Sequence, residues 1–115
     1  MTPRKTLRSL RVLDLTIDVI RCLAPLIREI RKCDSDLADQ IRRAASSIAL
    51  NLGEGNASLG GNRRKHFHFA LGSTREVRGA LRVAEAWGYI AKANALDEQL
   101  DIIGATTWRL MQCGP

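Results

Sequence analysis

The chain has 115 residues, 45% of them apolar and 26% charged, a size that holds one hydrophobic core and a balance that fits neither a disordered chain nor a membrane-embedded one. Its net charge of +6 is unevenly spread: residues 1–33 and 56–92 each carry five basic side chains in excess, and residues 34–55 and 93–115 each carry two acidic ones in excess. Two basic segments alternate with two acidic ones, a pattern more informative than the total, and the basic ones suit a polyanionic partner or a solvated surface.

The opening Met1-Thr-Pro-Arg-Lys5 is basic, but no apolar signal core follows it. The most apolar stretch, Val12 to Ile27, is interrupted by Asp14, Asp18 and Arg21, so no spanning helix is expected and the localisation predicted is cytoplasmic. Helix A is predicted over about residues 10–32, on the stripe Leu13, Ile17, Ile20, Leu23 (or Ala24), Ile27 and Ile30. Pro25 inside it predicts a kink or break near Arg21 to Ala24. Asp34-Ser35-Asp36 is an N-cap cluster for helix B, predicted over about 35–53 on Leu37, Ile41, Ala44 with Ala45, Ile48 and Leu52. Gly53 and Gly55 then supply its stop, and Asn56 to Asn62 reads as a loop.

Helix C is predicted over about 63–87, capped by Asn62, with the stripe Phe67, Ala70, Leu71, Thr74, Val77, Leu81 and Ala84. Gly72 and Gly79 lie inside it and each costs about 1 kcal/mol against Ala unless another helix approaches closely there. Gly88 ends helix C. Asn94 is expected to cap helix D, predicted over about 95–111 on Leu96, Leu100, Ile103, Thr107 and Leu110, with Asp97, Glu98 and Asp101 near its positive end. Four amphipathic helices of similar length joined by short connections give an all-α, antiparallel up-down-up-down four-helix bundle, one domain over residues 1–115.

Little in this frame looks catalytic. Cys22, Cys33 and Cys113 are odd in number and widely spaced, which is neither a disulfide framework nor a zinc site; reduced thiols are expected, with Cys22 in a core position. His66 and His68 stand two apart and point to different sides of a helix, so they cannot share a metal. No Glu-x-x-His pair suggests a di-iron bundle, and Gly53-Glu-Gly55 with Gly60-Gly61 follows a helix and lacks the Lys-Ser/Thr ending of a phosphate loop. Ser46, Ser47 and Ser73 have no evident base beside them. Neither an enzyme nor a cofactor is expected.

Two constellations remain. Ser47, Asn51 and Glu54, spaced four and three, form a polar ridge on helix B that either closes the bundle end or lines a ligand or subunit contact, with Arg75 or Arg78 as partners for Glu54. Arg63, Arg64 and Lys65 open helix C, and Arg75, Arg78 and Arg82 form a stripe down it that Arg42 and Arg43 of helix B can join. Cations at a helix N-terminus oppose its dipole, by about 0.3–1 kcal/mol each, and a feature that costs local stability invites a binding explanation. Phosphate backbone is the matching polyanion, and with so few aromatics no base readout is expected. The alternative is a solvated face on an assembly or adaptor protein whose partner is another protein.

Gln40-Ile-Arg-Arg-Ala-Ala-Ser-Ser-Ile-Ala-Leu-Asn51-Leu-Gly-Glu54-Gly55 resembles the signature of the 23S rRNA intervening-sequence protein family, and Phe69-Ala-Leu-Gly72-Ser73-Thr-Arg-Glu76-Val resembles its second block. The likeness covers roughly residues 37–90, and Gly53 stands where the family pattern has Ile or Ala. The resemblance implies an antiparallel four-helix bundle of largely unestablished role, with members encoded within insertions in ribosomal RNA genes. It also implies assembly, since some relatives form five-subunit rings. The similar accessory proteins of diversity-generating retroelements are basic pentamers that bind nucleic acid and a reverse transcriptase. On that footing Arg63 to Lys65 and Arg75, Arg78 and Arg82 are expected to contact RNA or DNA. Gly72, Ser73, Gly79 and Ala80 are then expected to admit close helix or subunit contact, and Leu59, Trp108 and Met111 to be buried between subunits of a pentamer.

Overall fold

The computed structural model describes the backbone of residues 4–113 and the side chains from Ser9 onward. Four helices account for almost all of it: α1 (Arg4–Cys33), α2 (Ser35–Ala57), α3 (Gly60–Ala86) and α4 (Asn94–Gln112). Among the described residues there is no strand, and no helix is long and apolar enough to cross a membrane. Each helix packs on the next, α2 against α3 most extensively, and α4 closes the ring against α1. The short connections force neighbours to run antiparallel, so the architecture is the expected four-helix bundle, 46 Å along its long axis.

The core follows the apolar stripes. Leu37, Ile41, Ile48 and Leu52 of α2, Phe67, Val77 and Leu81 of α3, and Leu100, Ile103 and Leu110 of α4 are all buried. In α1 the buried line is Val12, Thr16, Val19, Leu23 and Ile30, while the predicted Leu13, Ile20 and Ile27 pack only partly against it. That phase shift turns Cys22 outward, so it is exposed instead of buried in the core. Nor does Pro25 break α1, which runs through it. The proline is exposed, and the carbonyl that loses its helical donor belongs to exposed Arg21, so the missing bond falls on the solvent side of the helix. Leu23 and Ile30, fully buried on either side, hold both halves to the core.

The junctions show where the glycine and asparagine signals mislead. Asp34 is the N-cap of α2 as expected, its side chain accepting from the Leu37 N–H at 3.0 Å. Gly53 and Gly55 do not stop α2, which continues to Ala57, because helix interior tolerates glycine at a cost of about 1 kcal/mol when packing compensates. The predicted seven-residue loop shrinks to Ser58 and Leu59, both extended, followed by Gly60 at φ +60°, a backbone that favours glycine. Asn62 therefore lies inside α3 instead of capping it, and donates to Ser58 Oγ at 3.2 Å. Gly88 does end α3, at φ +78°, with Gly88 N–H on Glu85 O at 3.0 Å and Tyr89 N–H on Ala84 O at 2.9 Å, the paired bonds of a Schellman turn. Asn94 is the first residue of α4 and not its cap; that place falls to Ala93, without a side-chain bond.

Candidate nucleic-acid interface

Three cations at the start of α3 meet different fates. Arg64 and Lys65 are exposed. Arg63 is half-buried: its guanidinium donates to Gly55 O at 3.1 Å and lies 4.6 Å from the centre of the Phe67 ring. It therefore ties α3 to the end of α2, and its charge is partly spent on a carbonyl and an aromatic face. Lower on the helix, Arg75 and Arg82 are exposed, and neither forms an ion pair among the described residues. The spacing of Arg64, Arg75 and Arg82, eleven and then seven residues, is close to three and two whole turns, which puts them on one line along α3.

Arg78 lies toward α4. Its Nε and Nη2 donate to the two carboxylate oxygens of Asp97 at 2.9 and 3.1 Å, and Nη1 reaches Asp101 at 3.1 Å. This two-pronged geometry suits a guanidinium against carboxylate. The Arg78 hydrogen bond holds the Asp97 carboxyl below the usual carboxylate range, and the same bond raises Arg78. Glu54 is exposed and pairs with neither Arg75 nor Arg78; the latter is engaged by α4 instead. On α2, Arg42 and Arg43 are exposed. Asp39 beside them bonds Arg31 of α1 at 2.8 Å, which holds its carboxyl low.

Ser47 and Asn51 do form a polar ridge, but their partners are on α3 and Glu54 is not among them. Asn51 Nδ2 donates to Ser47 O and Ser47 Oγ, both at 3.0 Å. Because the Ser47 carbonyl only accepts, that bond fixes the amide orientation, and Asn51 Oδ1 must then accept from His66 Nδ1 at 3.0 Å. Ser73 Oγ donates to Ser47 Oγ at 2.9 Å. The chain Ser73, Ser47, Asn51, His66 thus crosses the α2–α3 seam and fixes its register. Pairing positions at equal distances from a turn at Ser58–Leu59 would have matched His66 with Asn51, but it matches Ser47 with Ala70 and so misses Ser73. His68 is exposed and stands apart from His66. No group of three His, Cys, Asp or Glu side chains among the described residues is arranged to hold a metal.

The family model for the 23S rRNA-intervening sequence protein matches residues 8–107. The chain belongs to that family. The match reaches well into α1 and α4, beyond the two blocks legible in α2 and α3. A crystal structure of a protein of unknown function from the S23 ribosomal protein family of Bacteroides thetaiotaomicron VPI-5482 superposes with a TM-score of 0.81, covering 91% of this chain and 98% of that one. At 15% identity the likeness shows the fold alone. Comparison with curated proteins gives no match.

In this intervening-sequence protein the two family blocks meet physically. Ser47 of the first accepts from Ser73 of the second, and Asn51 accepts from His66 just before it. Gly55, the last residue of the first block, is buried against the Phe67 ring, where a Cβ would come within 2.5 Å. Gly72 and Gly79 have no such neighbour, since a Cβ at either would meet nothing within 4 Å. Among the described residues, no close approach requires glycine at either position. Leu59 and Trp108 are exposed on the single chain, but Met111 is buried in the chain's own core, because the last turn of α4 carries it there with Leu110.

Proposed function

We propose that this chain is a non-catalytic, oligomeric four-helix bundle that binds the phosphate backbone of RNA or DNA through α3. The observation that carries this reading is the line of exposed cations Arg64, Arg75 and Arg82 with Lys65 beside it. Long cationic side chains left without carboxylate partners on one helix face are what a phosphate backbone requires. Arg42 and Arg43 extend the positive surface onto α2. Arg63 and Arg78 take supporting parts, because their guanidinium groups are already committed within the chain. Phe67 is in the core and Phe69 is exposed; the reading rests on backbone contacts, with binding independent of sequence. The resemblance to the basic pentameric accessory proteins of diversity-generating retroelements supports the same reading, with five as the subunit number.

Labelled single-stranded and duplex RNA and DNA, titrated at about 50 and 200 mM salt, test it. Micromolar or tighter binding that weakens steeply with salt is the expected result. Absence of binding at the lower salt would refute it and favour an adaptor acting on another protein.

A further inference from the structure

A groove of about 490 Å³ lies between the C-terminal half of α3 and the connection into α4. Arg75, Arg78 and Arg82 line it from α3, and Lys92 lines it from the connection. The arginines share a flank because steps of three and four residues nearly complete a turn. Lys92 arrives by a different route: the Gly88 turn reverses the chain and returns it to the same groove. No periodicity in the sequence joins Lys92 to that stripe.

Two carboxylates also line the groove, and both are occupied. Asp97 accepts from Arg78, and Glu85 accepts the Ala93 N–H at 3.3 Å. Four cations line the groove against two carboxylates, and with Asp101, which bonds Arg78 from beside it, one positive charge remains in excess. The occupied carboxylates also fix the walls. Asp97 and Asp101 hold Arg78 across to α4, and Glu85 holds the connection that carries Lys92. Arg75, Arg82 and Lys92 are exposed and have no ion-pair partner among the described residues. Such a site concentrates anions more strongly than the same charges spread over open surface. Guanidinium forks match the oxygen geometry of phosphate.

We propose that this groove binds a phosphate group of a nucleic-acid strand, with Arg75, Arg82 and Lys92 as its ligands and Arg78 as the fixed member of the set. The reading of the chain as a nucleic-acid binder supplies the strand; the groove itself is argued independently of it. The phosphate is either a backbone diester or a terminal monoester, and the test separates them.

The full chain, labelled with ¹⁵N, is titrated with inorganic phosphate and then with one oligoribonucleotide carrying either a 5′-phosphate or a 5′-hydroxyl. The same titrations are run on Arg82→Gln/Lys92→Gln and on a charge-matched control, Arg28→Gln/Arg109→Gln. Amide shifts are expected to centre on residues 75–97 with every ligand. The groove variant should bind the oligonucleotide about tenfold more weakly or worse, and its salt slope should fall by roughly 1.4–1.8, two contacts at 0.7–0.9 each. The control should stay within about threefold of the parent, since distant charges are screened. Tighter binding of the 5′-phosphate form supports a terminal monoester; equal binding supports a backbone diester. Oligonucleotide binding that shifts other amides and ignores the groove variant overturns the groove and leaves the broader reading standing. Groove shifts with inorganic phosphate but no oligonucleotide binding overturn the strand as ligand. Binding of neither overturns both.

Discussion

Two glycines two residues apart in α2 have opposite reasons to be there. Gly55 is buried, and a Cβ added to it would lie 2.5 and 2.7 Å from Cε1 and Cδ1 of Phe67. The ring has little freedom to retreat, being fully buried with the Arg63 guanidinium over its face. Overpacking of this kind costs about 1–3 kcal/mol, and the better helix propensity of Ala returns only about 1. Gly55→Ala is therefore expected to lower the urea midpoint. At Gly53 a Cβ meets nothing within 4 Å, so Gly53→Ala should raise stability by about 0.5–1 kcal/mol. Equal or greater stability of Gly55→Ala would mean that the ring gives way and that close approach is not what selects the glycine. The sequence marks both glycines as a helix stop, and neither is one. Glycine tells only that a side chain is missing; whether conformation or contact requires the gap depends on Phe67, twelve residues further along and on another helix. The polar ridge was half legible for the same reason. Ser47 and Asn51 share a face by spacing alone, whereas His66 and Ser73 join them only once α2 and α3 are packed.

At the level of whole helices, apolar periodicity was sufficient for α2, α3 and α4, whose predicted stripes are buried almost residue for residue. It slipped in α1, where Leu, Ile and Val are so frequent that several phases fit equally well. What periodicity leaves open is which flank of a helix faces which neighbour, since a four-helix pattern can wind in either sense. Arg78 depends on that choice. The flank of α3 carrying Ser73 and His66 meets α2, so Arg78 turns to α4 and to Asp97, and Glu54 is left without it. This bridge makes the α3–α4 contact pH-dependent in a defined direction. Asp97 titrates below its ordinary value because the Arg78 hydrogen bond favours the carboxylate. Its contribution is present above the unfolded carboxylate value near ~3.9 and is lost as pH falls through the lower folded value. With the Asp97 and Arg78 side chains 49% and 34% exposed, solvent limits that contribution to about 1 kcal/mol or less. Unfolding of the parent and of Asp97→Asn, followed from pH 7 to 2.5, should show a gap that is widest at neutral pH and closes below about pH 4. A gap that stays constant down to pH 2.5 would assign the loss to packing and remove the charge pair from the account.

For the molecule as a whole, exposed apolar side chains occur on several faces, Leu59, Trp87 and Trp108 among them, and two of these faces bear on assembly. Leu50 on α2 is 70% exposed and Phe69 on α3 49%, with Gly72 beside Phe69 in the α2–α3 groove. Ile102 on α4 is 54% exposed and lines a groove with Val12 and Leu15 of α1. Single exposed apolar residues are ordinary, and these become contact surfaces only if a second copy covers them. In a bundle closed as α1, α2, α3, α4, the α2–α3 side and the α1–α4 side lie opposite each other. Apolar side chains on two opposite sides allow a head-to-tail contact, in which one face of a copy meets the other face of the next, and such contacts give a ring where the rotation between copies closes and an open filament where it does not. Gly72 then has a use that nothing within the chain gives it, as a place where a neighbouring copy can approach closely. On this view the parent chain should scatter light as about five times its 12.7 kDa mass. Leu50→Glu/Phe69→Glu, which damages one side, and Ile102→Glu, which damages the other, should each sediment as single chains at moderate concentration. Mixed together they can still form one undamaged contact, the intact α1–α4 side of the first against the intact α2–α3 side of the second. The mixture should therefore yield a 1:1 dimer that neither variant forms alone. A self-complementary contact across one face predicts something different: a variant of the other face would keep its dimer, and mixing would add nothing. A parent chain that scatters as one copy would remove the ring altogether, leaving the exposed leucine and phenylalanine to a different protein.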